Sequence, residues 1–555
     1  MVLGPEAVVL GSIVLTLSGS AQGQVPFYDF VGDAGGDRFG ASIAAAGDVN
    51  DDGFADFIVG APQDAILFGN GLGLARVFSG VDGALLLSFA GTTAGQKFGY
   101  SVAGVGDVNG DDHDDVAVGT PDFDNFPGVG QGRVQVFSGA DGALLYTFIG
   151  PASQARIGTT VAGVGDVDKD GVPDIAGGAP NSSIAGTGAG TVVVWSGANG
   201  SVLHTWHGAS ENAFLGVSLD GAGDFDGDDW ADVIVGGVSG PVTLYSGKTG
   251  GVLMTYPAPA PEDQWGVSLA CIGDFTGDGV PDFIIGAVQA GFFGAGTGYA
   301  RVLNGASGAT LVQFQGDAVL DVFGNSVDSA GDYDGDGIQD FIVGAPVSTD
   351  SSRLGYARIF SGANGQILQQ FDAASGSSNL GAHVALLGDL NADGGPEVAV
   401  SQPEEDDPGP RNGSVQVYMG APYVCPVPTN YCLSFPNTTG LAAQIGYTGT
   451  NGVAANDLVL TASDCPPAQF ALFFLGQTQG VQFLGSGVLC VSGSILRLPP
   501  VILIEGSGTV AVPLDLNNLP ANATIEVGDT RYFQLWFRDN GATNLTDGLT
   551  ITFCP

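Results

Sequence analysis

Positive charge, methionine, histidine and helical periodicity are all scarce in this chain. Three lysines and eleven arginines face 58 acidic residues, for a formal net charge of −44. Without a basic patch there is nothing to neutralise a phosphate backbone, so nucleic-acid binding is excluded. The same charge repels an anionic membrane surface. Beyond the first 25 residues no apolar run approaches the ~18 residues that mark a membrane span. The four histidines, His113, His204, His207 and His383, are scattered, and no Gly-x-Ser-x-Gly elbow or Ser–His–Asp spacing occurs. The glycine runs at 128–132, 186–190 and 294–298 precede no helical pattern, which excludes phosphate-cradling loops. Nothing here points to catalysis.

What is present is apolar mass and glycine. Hydrophobic residues make up 44% of the chain, with 32 phenylalanines, so the high net charge does not imply disorder. The 93 glycines among 555 residues follow no period of three, which rules out a collagen helix. Residues Ala7 to Leu17 form an apolar stretch too short to span a bilayer, followed by the small residues Ser18 to Gly23. The pattern predicts a secretory leader over residues 1–23.

Self-similarity organises the rest. A nonapeptide with oxygen-bearing side chains at positions 1, 3, 5 and 9 begins at Asp48, Asp107, Asp166, Asp224, Asp274, Asp332 and Asp389. Around each copy lie four short runs of alternating or apolar residues, as in Tyr100 to Gly106, Val116 to Gly119, Arg133 to Phe137 and Leu144 to Phe148. Alternation with a period of two between glycine turns predicts four antiparallel strands per unit, A to D. The seventh unit lacks a D strand, and residues 27–32 supply a matching one at the other end. Pairing the two would close a seven-bladed propeller and remove its exposed edges. The fold expected is therefore all-β: a seven-bladed β-propeller over residues 24–421, a Pro-rich linker at 422–431 and a disulfide-containing β-sandwich at 432–555.

Phe39-Gly40 with Gly60-Ala61-Pro62, and Phe323-Gly324 with Gly344-Ala345-Pro346, flank these loops. In this the chain resembles FG-GAP repeat proteins, with the seven-bladed propeller of integrin α subunits and of many bacterial secreted proteins. The flanking motif weakens at Ile157-Gly158, Leu215-Gly216, Trp265-Gly266, Leu380-Gly381 and Ser401-Gln402-Pro403.

Carboxylates at alternate positions of a tight turn converge on one point, which suits a hard cation taking six to eight oxygens. In the sixth loop, Asp332, Asp334, Asp336 and Asp340, the absence of thiolate and imidazole excludes zinc and copper, and calcium fits better than the smaller magnesium. The loops lack the glutamate at position 12 that an EF-hand requires. The resemblance implies calcium binding in up to seven loops, position 7 contributing its carbonyl. Loop one offers Asp48, Asn50, Asp52, Phe54 and Asp56; loop two Asp107, Asn109, Asp111, His113 and Asp115. Loop three offers Asp166, Asp168, Asp170, Val172 and Asp174; loop four Asp224, Asp226, Asp228, Trp230 and Asp232. Loop five offers Asp274, Thr276, Asp278, Val280 and Asp282; loop six Asp332, Asp334, Asp336, Ile338 and Asp340. Loop seven offers Asp389, Asn391, Asp393, Gly395 and Glu397. Loops five and seven depart most from the pattern, and Asp112 and Asp229 replace the usual glycine at position 6, a place where aspartate can adopt the left-handed conformation.

Five of six cysteines lie beyond residue 421, as expected of an exported, oxidised module. A Cys465–Cys490 bridge is favoured, with Cys554 tied to Cys425 or Cys432; Cys271 fills a glycine slot of the repeat and is expected to be a free buried thiol. The fourth unit is eight residues short between its B and C strands, around Val238 to Pro241. In an up-and-down blade the A–B and C–D connections share one face, and the variable B–C and D–A connections share the other. Recognition is expected on the variable face, beside the notch, near Asn181 to Gly190 and Gln289 to Gly298. The functional expectation is a secreted or cell-surface calcium-binding propeller for adhesion or extracellular ligand binding, its partner an unidentified extracellular protein or glycan. A structural envelope or matrix component is the alternative, and a propeller enzyme the third reading.

Overall fold

The computed structural model describes residues 26–553 except 64–70, 125–129, 261–262, 290–295, 347–353, 374–378, 392, 405–411, 422–427, 433, 451–452, 454–455, 517–518, 520–524, 526–529 and 540–541. The expected leader, most of the Pro-rich linker, Cys425, Cys554 and, within the expected recognition segment Gln289 to Gly298, residues 290–295 with Phe293 lie outside the described residues. The chain divides into two compact units: residues up to Leu390 with Pro396–Gly420, and Asn391–Gly395 with Ala421–Pro555.

The first unit contains seven four-stranded antiparallel sheets. Blade 1 consists of Ser42–Gly47, Asp56–Ala61, Leu74–Phe78 and Leu85–Ala90. The A strands of the next blades are Ser101–Gly106, Thr160–Gly163, Ser218–Gly223, Trp265–Cys271, Ser326–Gly331 and Val384–Gly388. Each A strand touches the next, and that of blade 7 touches that of blade 1, so the ring is closed. B strands such as Asp56–Ala61 are buried throughout because neighbouring blades cover both faces, which is why they read as continuous apolar runs. The D strands alternate instead; in Leu144–Ile149 only Phe148 is buried.

Blade 7 is completed from the other end of the unit. Tyr28–Val31 pairs antiparallel with Ser414–Met419, with Tyr28 opposite Val417 and Phe30 opposite Val415. Blades lock through a recurring aromatic contact at the seams. The D-strand ring of one blade meets the last C-strand ring of the next in Phe89–Phe137, Phe148–Trp195, Trp206–Tyr245, Phe314–Phe360 and Phe371–Tyr418, at 4.2–4.4 Å between centroids. Where blade 5 has Leu303 at that place, Tyr256 packs on Phe283 of its B strand at 5.7 Å. Such pairs add ~0.5–1.5 kcal/mol beyond area burial.

The Phe-Gly and Gly-Ala-Pro signatures also act between blades. A Cβ on Gly60 would stand 2.1 Å from the Gly99 carbonyl of blade 2, and Gly99 itself has a φ of +82°. The same contact recurs at Gly119 with Gly158, Gly178 with Gly216, Gly236 with Gly266, Gly286 with Gly324 and Gly344 with Gly381. The weakened Phe-Gly motifs therefore keep their glycine and vary in the residue before it, whereas in blade 7 Ser401 replaces the Gly-Ala-Pro glycine.

In the second unit a three-stranded sheet (Gln444–Thr448, Val459–Ser463, Val510–Pro513) shares one core with a larger sheet built around Phe470–Gly476 and Thr530–Asp539. Ile445, Leu460 and Val512 meet Phe473, Leu535 and Phe537 there, which makes it a β-sandwich. The favoured cysteine pairing is not the one formed: Cys490 bonds Cys432, with Cα atoms 6.3 Å apart, and Cys465 is a free buried thiol. Cys465 belongs to the apolar core between the sheets, and burial pushes its thiol up to about 12. Cys271 is free as expected, but only half-buried.

Candidate metal centres

Each Asp loop is organised by its own carboxylates. At position 1, Asp48 accepts the N–H groups of Asp52 and Gly53 at 3.0 and 2.8 Å. Asp166, Asp224, Asp274 and Asp332 repeat this pair, and Asp107 accepts from Gly110, Asp111 and Asp112. At position 5, Asp52, Asp111, Asp170, Asp228, Asp278, Asp336 and Asp393 accept from the N–H groups of Phe54, His113, Val172, Trp230, Val280, Ile338 and Gly395. The tight curl requires left-handed residues: Asp112 at φ +68° and Asp229 at φ +69° adopt the conformation that glycine takes elsewhere.

Position 9 does something the spacing did not reveal. Asp56, Asp115, Asp174, Asp232, Asp282 and Asp340 are fully buried. One oxygen of each accepts an N–H near the start of its own loop, Val49, Val108, Val167, Phe225, Thr276 or Tyr333. The other accepts the turn-glycine N–H of the C–D connection, Gly80, Gly139, Gly197, Gly247, Gly305 or Gly362, at 2.8–3.0 Å. The Asp loops and the C–D turns are thereby tied together on one face.

Loop three gathers Asp166, Asp168 and Asp174, loop four Asp224, Asp226 and Asp232, and loop six Asp332, Asp334 and Asp336, each with carboxylate oxygens within 4.8 Å of one another. Like charges this close repel by roughly 4 kcal/mol per pair at an effective dielectric near 20. Burial first, then neighbouring carboxylates, raise Asp168 and Asp334. Burial lifts Asp56, Asp115 and Asp174 to about 6 and Asp340 to about 7. In loop one the Asn50 Oδ1 is buried without a hydrogen-bond partner. An all-oxygen set holding an unused acceptor fits a hard cation.

Loop five differs. The Asn304 side-chain amide donates to Thr276 Oγ1 at 3.2 Å and to Asp278 Oδ2 at 2.7 Å, so expected ligand oxygens are engaged by an N–H donor. Asn304 Oδ1 is held by Ser307 through both its N–H and its hydroxyl. In loop seven Asp393 accepts the Gly395 N–H at 2.8 Å, and the Glu397 side chain at position 9 accepts the Leu390 N–H at 2.7 Å. Among the histidines, His113 Nδ1 lies 2.9 Å from the Val49 carbonyl, linking loop two to loop one. His204 meets the Gly247 carbonyl and His207 meets Thr191 Oγ1.

Sequence reasoning also missed a set of hydroxyl contacts between blades. Ser101, Thr160, Ser218 and Ser268 donate to the carbonyls of Gly158, Gly216, Gly266 and Gly324 in the following blade. Their signal was a hydroxyl two residues after the Phe-Gly glycine in most repeats.

A ring of four-stranded blades with an Asp loop between each A and B strand defines an FG-GAP β-propeller. The FG-GAP repeat family model matches residues 39–78, 98–137, 158–195 and 323–360, and an FG-GAP-like repeat model matches 224–285. The propeller is integrin α-like. It is similar to integrin alpha-5 of Xenopus laevis, 34% identical over 197 residues, covering 32% of this chain and 18% of that one. Integrin alpha-V of Gallus gallus is 34% identical over 142 residues, covering 24% and 13%, and integrin alpha-6 of Gallus gallus 30% identical over 191 residues, covering 33% and 17%. The matched stretches thus span less than a fifth of each relative.

Proposed function

We propose that this protein is a secreted or cell-surface propeller that binds calcium at its Asp loops and presents the opposite face for adhesion or extracellular ligand binding. The observation that carries the metal reading is the convergence of three carboxylates within 4.8 Å in loops three, four and six. In these loops the residues at positions 1, 3, 5 and 9 would hold the ion, which supplies the charge compensation that the buried oxygens lack. Chelation with EDTA should lower the melting temperature and added calcium should restore it; an unchanged curve would remove calcium from the account.

The recognition reading is supported by likeness to integrin α propellers and by the uneven B–C connections. Blade 4 crosses from B to C with residues 237–241 only, whereas blade 3 uses 180–190. Ser183 is exposed on that longer connection. A glycan and matrix-protein screen with and without calcium would find the ligand. Ser183→Trp should then weaken its binding, while Ala140→Trp, at an exposed residue of a C–D turn, should not. The reverse pattern would move recognition to the Asp-loop face.

A further inference from the structure

The C strand of blade 2 runs Arg133–Phe137. Arg133 is only 7% exposed, yet in a chain with 58 acidic residues its guanidinium makes no ion pair or hydrogen bond among the described residues. Its Nε is buried without a partner, and the ring of Phe123 lies 4.3 Å from its Cζ. Burial alone lowers its pKa, with no carboxylate acting in the other direction. Directly opposite Arg133 on the B strand is Thr120, fully buried, its Oγ1 also without a partner. The Gln96 side-chain oxygen of the same blade, in the D–A connection, is a third unpartnered polar atom.

Equivalent positions in other blades show what is missing. In blade 5 the first C-strand residue is Tyr299, whose hydroxyl donates to Asp263 Oδ2 in the D–A connection at 2.7 Å. In blade 6 Tyr356 donates to Asp321 Oδ2 at 3.0 Å. Blade 2 has Arg133 in place of the tyrosine and neutral Gln96 in place of the aspartate, so a cation faces a place where its sister blades keep a carboxylate. Thr120 likewise replaces the alanine of the Gly-Ala-Pro signature. Lys97 and Arg156 stand nearby but share Asp122, at 3.3 and 2.6 Å.

We propose that blade 2 carries a binding site for a carboxylate monoanion on the B–C/D–A face, with Arg133 as its cationic anchor and Thr120 as a hydrogen-bond donor. A planar carboxylate matches the guanidinium fork. A doubly charged tetrahedral anion suits the site less, because Lys97 and Arg156 are engaged by Asp122 and leave one cation, Arg133, to meet the ligand. Free organic acids and acidic side chains of a polypeptide share this chemistry. The inference rests on the reading of this face as a recognition surface and names what blade 2 contributes to it.

Full-length protein would be titrated with N-acetyl-L-glutamate amide, with a hexapeptide carrying one glutamate, and with sodium sulfate, ionic strength being held with sodium chloride. The site predicts a melting-temperature rise of about 1–2 °C at saturating carboxylate, and none with sulfate. A rise with the amino-acid amide assigns a diffusible acid, and one with the hexapeptide alone a polypeptide side chain. Arg133→Tyr, which installs the blade 5 and 6 residue, should abolish the rise and melt no lower than wild type in ligand-free buffer. Should Arg133→Tyr not fold, Thr120→Ala should weaken carboxylate binding roughly three- to tenfold. A carboxylate effect that survives Arg133→Tyr, an equal response to sulfate, or no response in wild type overturns the site. Such a failure leaves the wider reading of the face to be judged by the Ser183 variant.

Discussion

The rings of Phe30 and Phe78 lie 4.5 Å apart. Phe30 belongs to the strand that completes blade 7, and Phe78 ends the C strand of blade 1, so this contact is the seventh aromatic lock and the one that closes the ring. Phe30→Ala removes it and half-buried apolar surface with it, which should cost about 2–4 kcal/mol. Urea unfolding checks this. A change below about 0.5 kcal/mol would mean that closure rests on the Tyr28–Val31 strand pairing alone.

The inter-blade glycines separate two kinds of cost. Gly99→Ala must place a Cβ 2.0 Å from the Leu74 carbonyl at φ +82°, whereas Gly53→Ala, at φ +88°, meets nothing within 4 Å. Gly53→Ala should lose only the left-handed preference, about 1–2 kcal/mol. Gly99→Ala should lose more than ~3 kcal/mol or prevent folding. Equal losses at the two sites would contradict the packed seam.

Asn304 gives loop five a testable defect. Five of the other turns carry serine at the equivalent place, Ser79, Ser138, Ser196, Ser246 and Ser361. Asn304→Ser releases Thr276 Oγ1 and Asp278 Oδ2, so the calcium stoichiometry measured by titration calorimetry should rise by about one. An unchanged stoichiometry would show that the Asn304 amide does not compete.

Two A-strand carboxylates outside the loops set a pH dependence. Asp328 accepts the Leu386 N–H of blade 7 and Asp220 the Cys271 N–H of blade 5, each at 2.9 Å. Burial raises Asp328 to about 7 and Asp220 to about 6. A carboxyl whose folded pKa lies above its unfolded value binds its proton more tightly when folded. Its ionisation is therefore destabilising, fully so above about pH 7 for Asp328, and relieved as pH falls towards about 4. In EDTA, wild type minus Asp328→Asn should show a stability difference that shrinks on acidification through this window. The difference isolates Asp328 from the loop carboxylates, which shift the same way. A pH-independent difference would refute the burial argument.

The seven blades were legible because an oxygen ligand set, a glycine turn and an alternating strand each leave a periodic mark in the chain. Closure was legible too, since the last unit lacks a strand that residues 27–32 supply. The loop residues at positions 1, 3 and 5 act locally, through N–H groups two to five residues away, so their spacing carried their geometry. The rest depends on partners distant in sequence. The second role of Asp56, holding Gly80, needs the C–D turn folded onto the same face. Asn304 reaches loop five across 28 residues, and Cys432 rather than Cys465 meets Cys490 because two sheets pack around Cys465. Arg133 reads from the sequence as one more polar residue in an alternating strand. Only the packed blade, which buries it and sets no carboxylate of the described residues against it, makes it a charge in need of a partner.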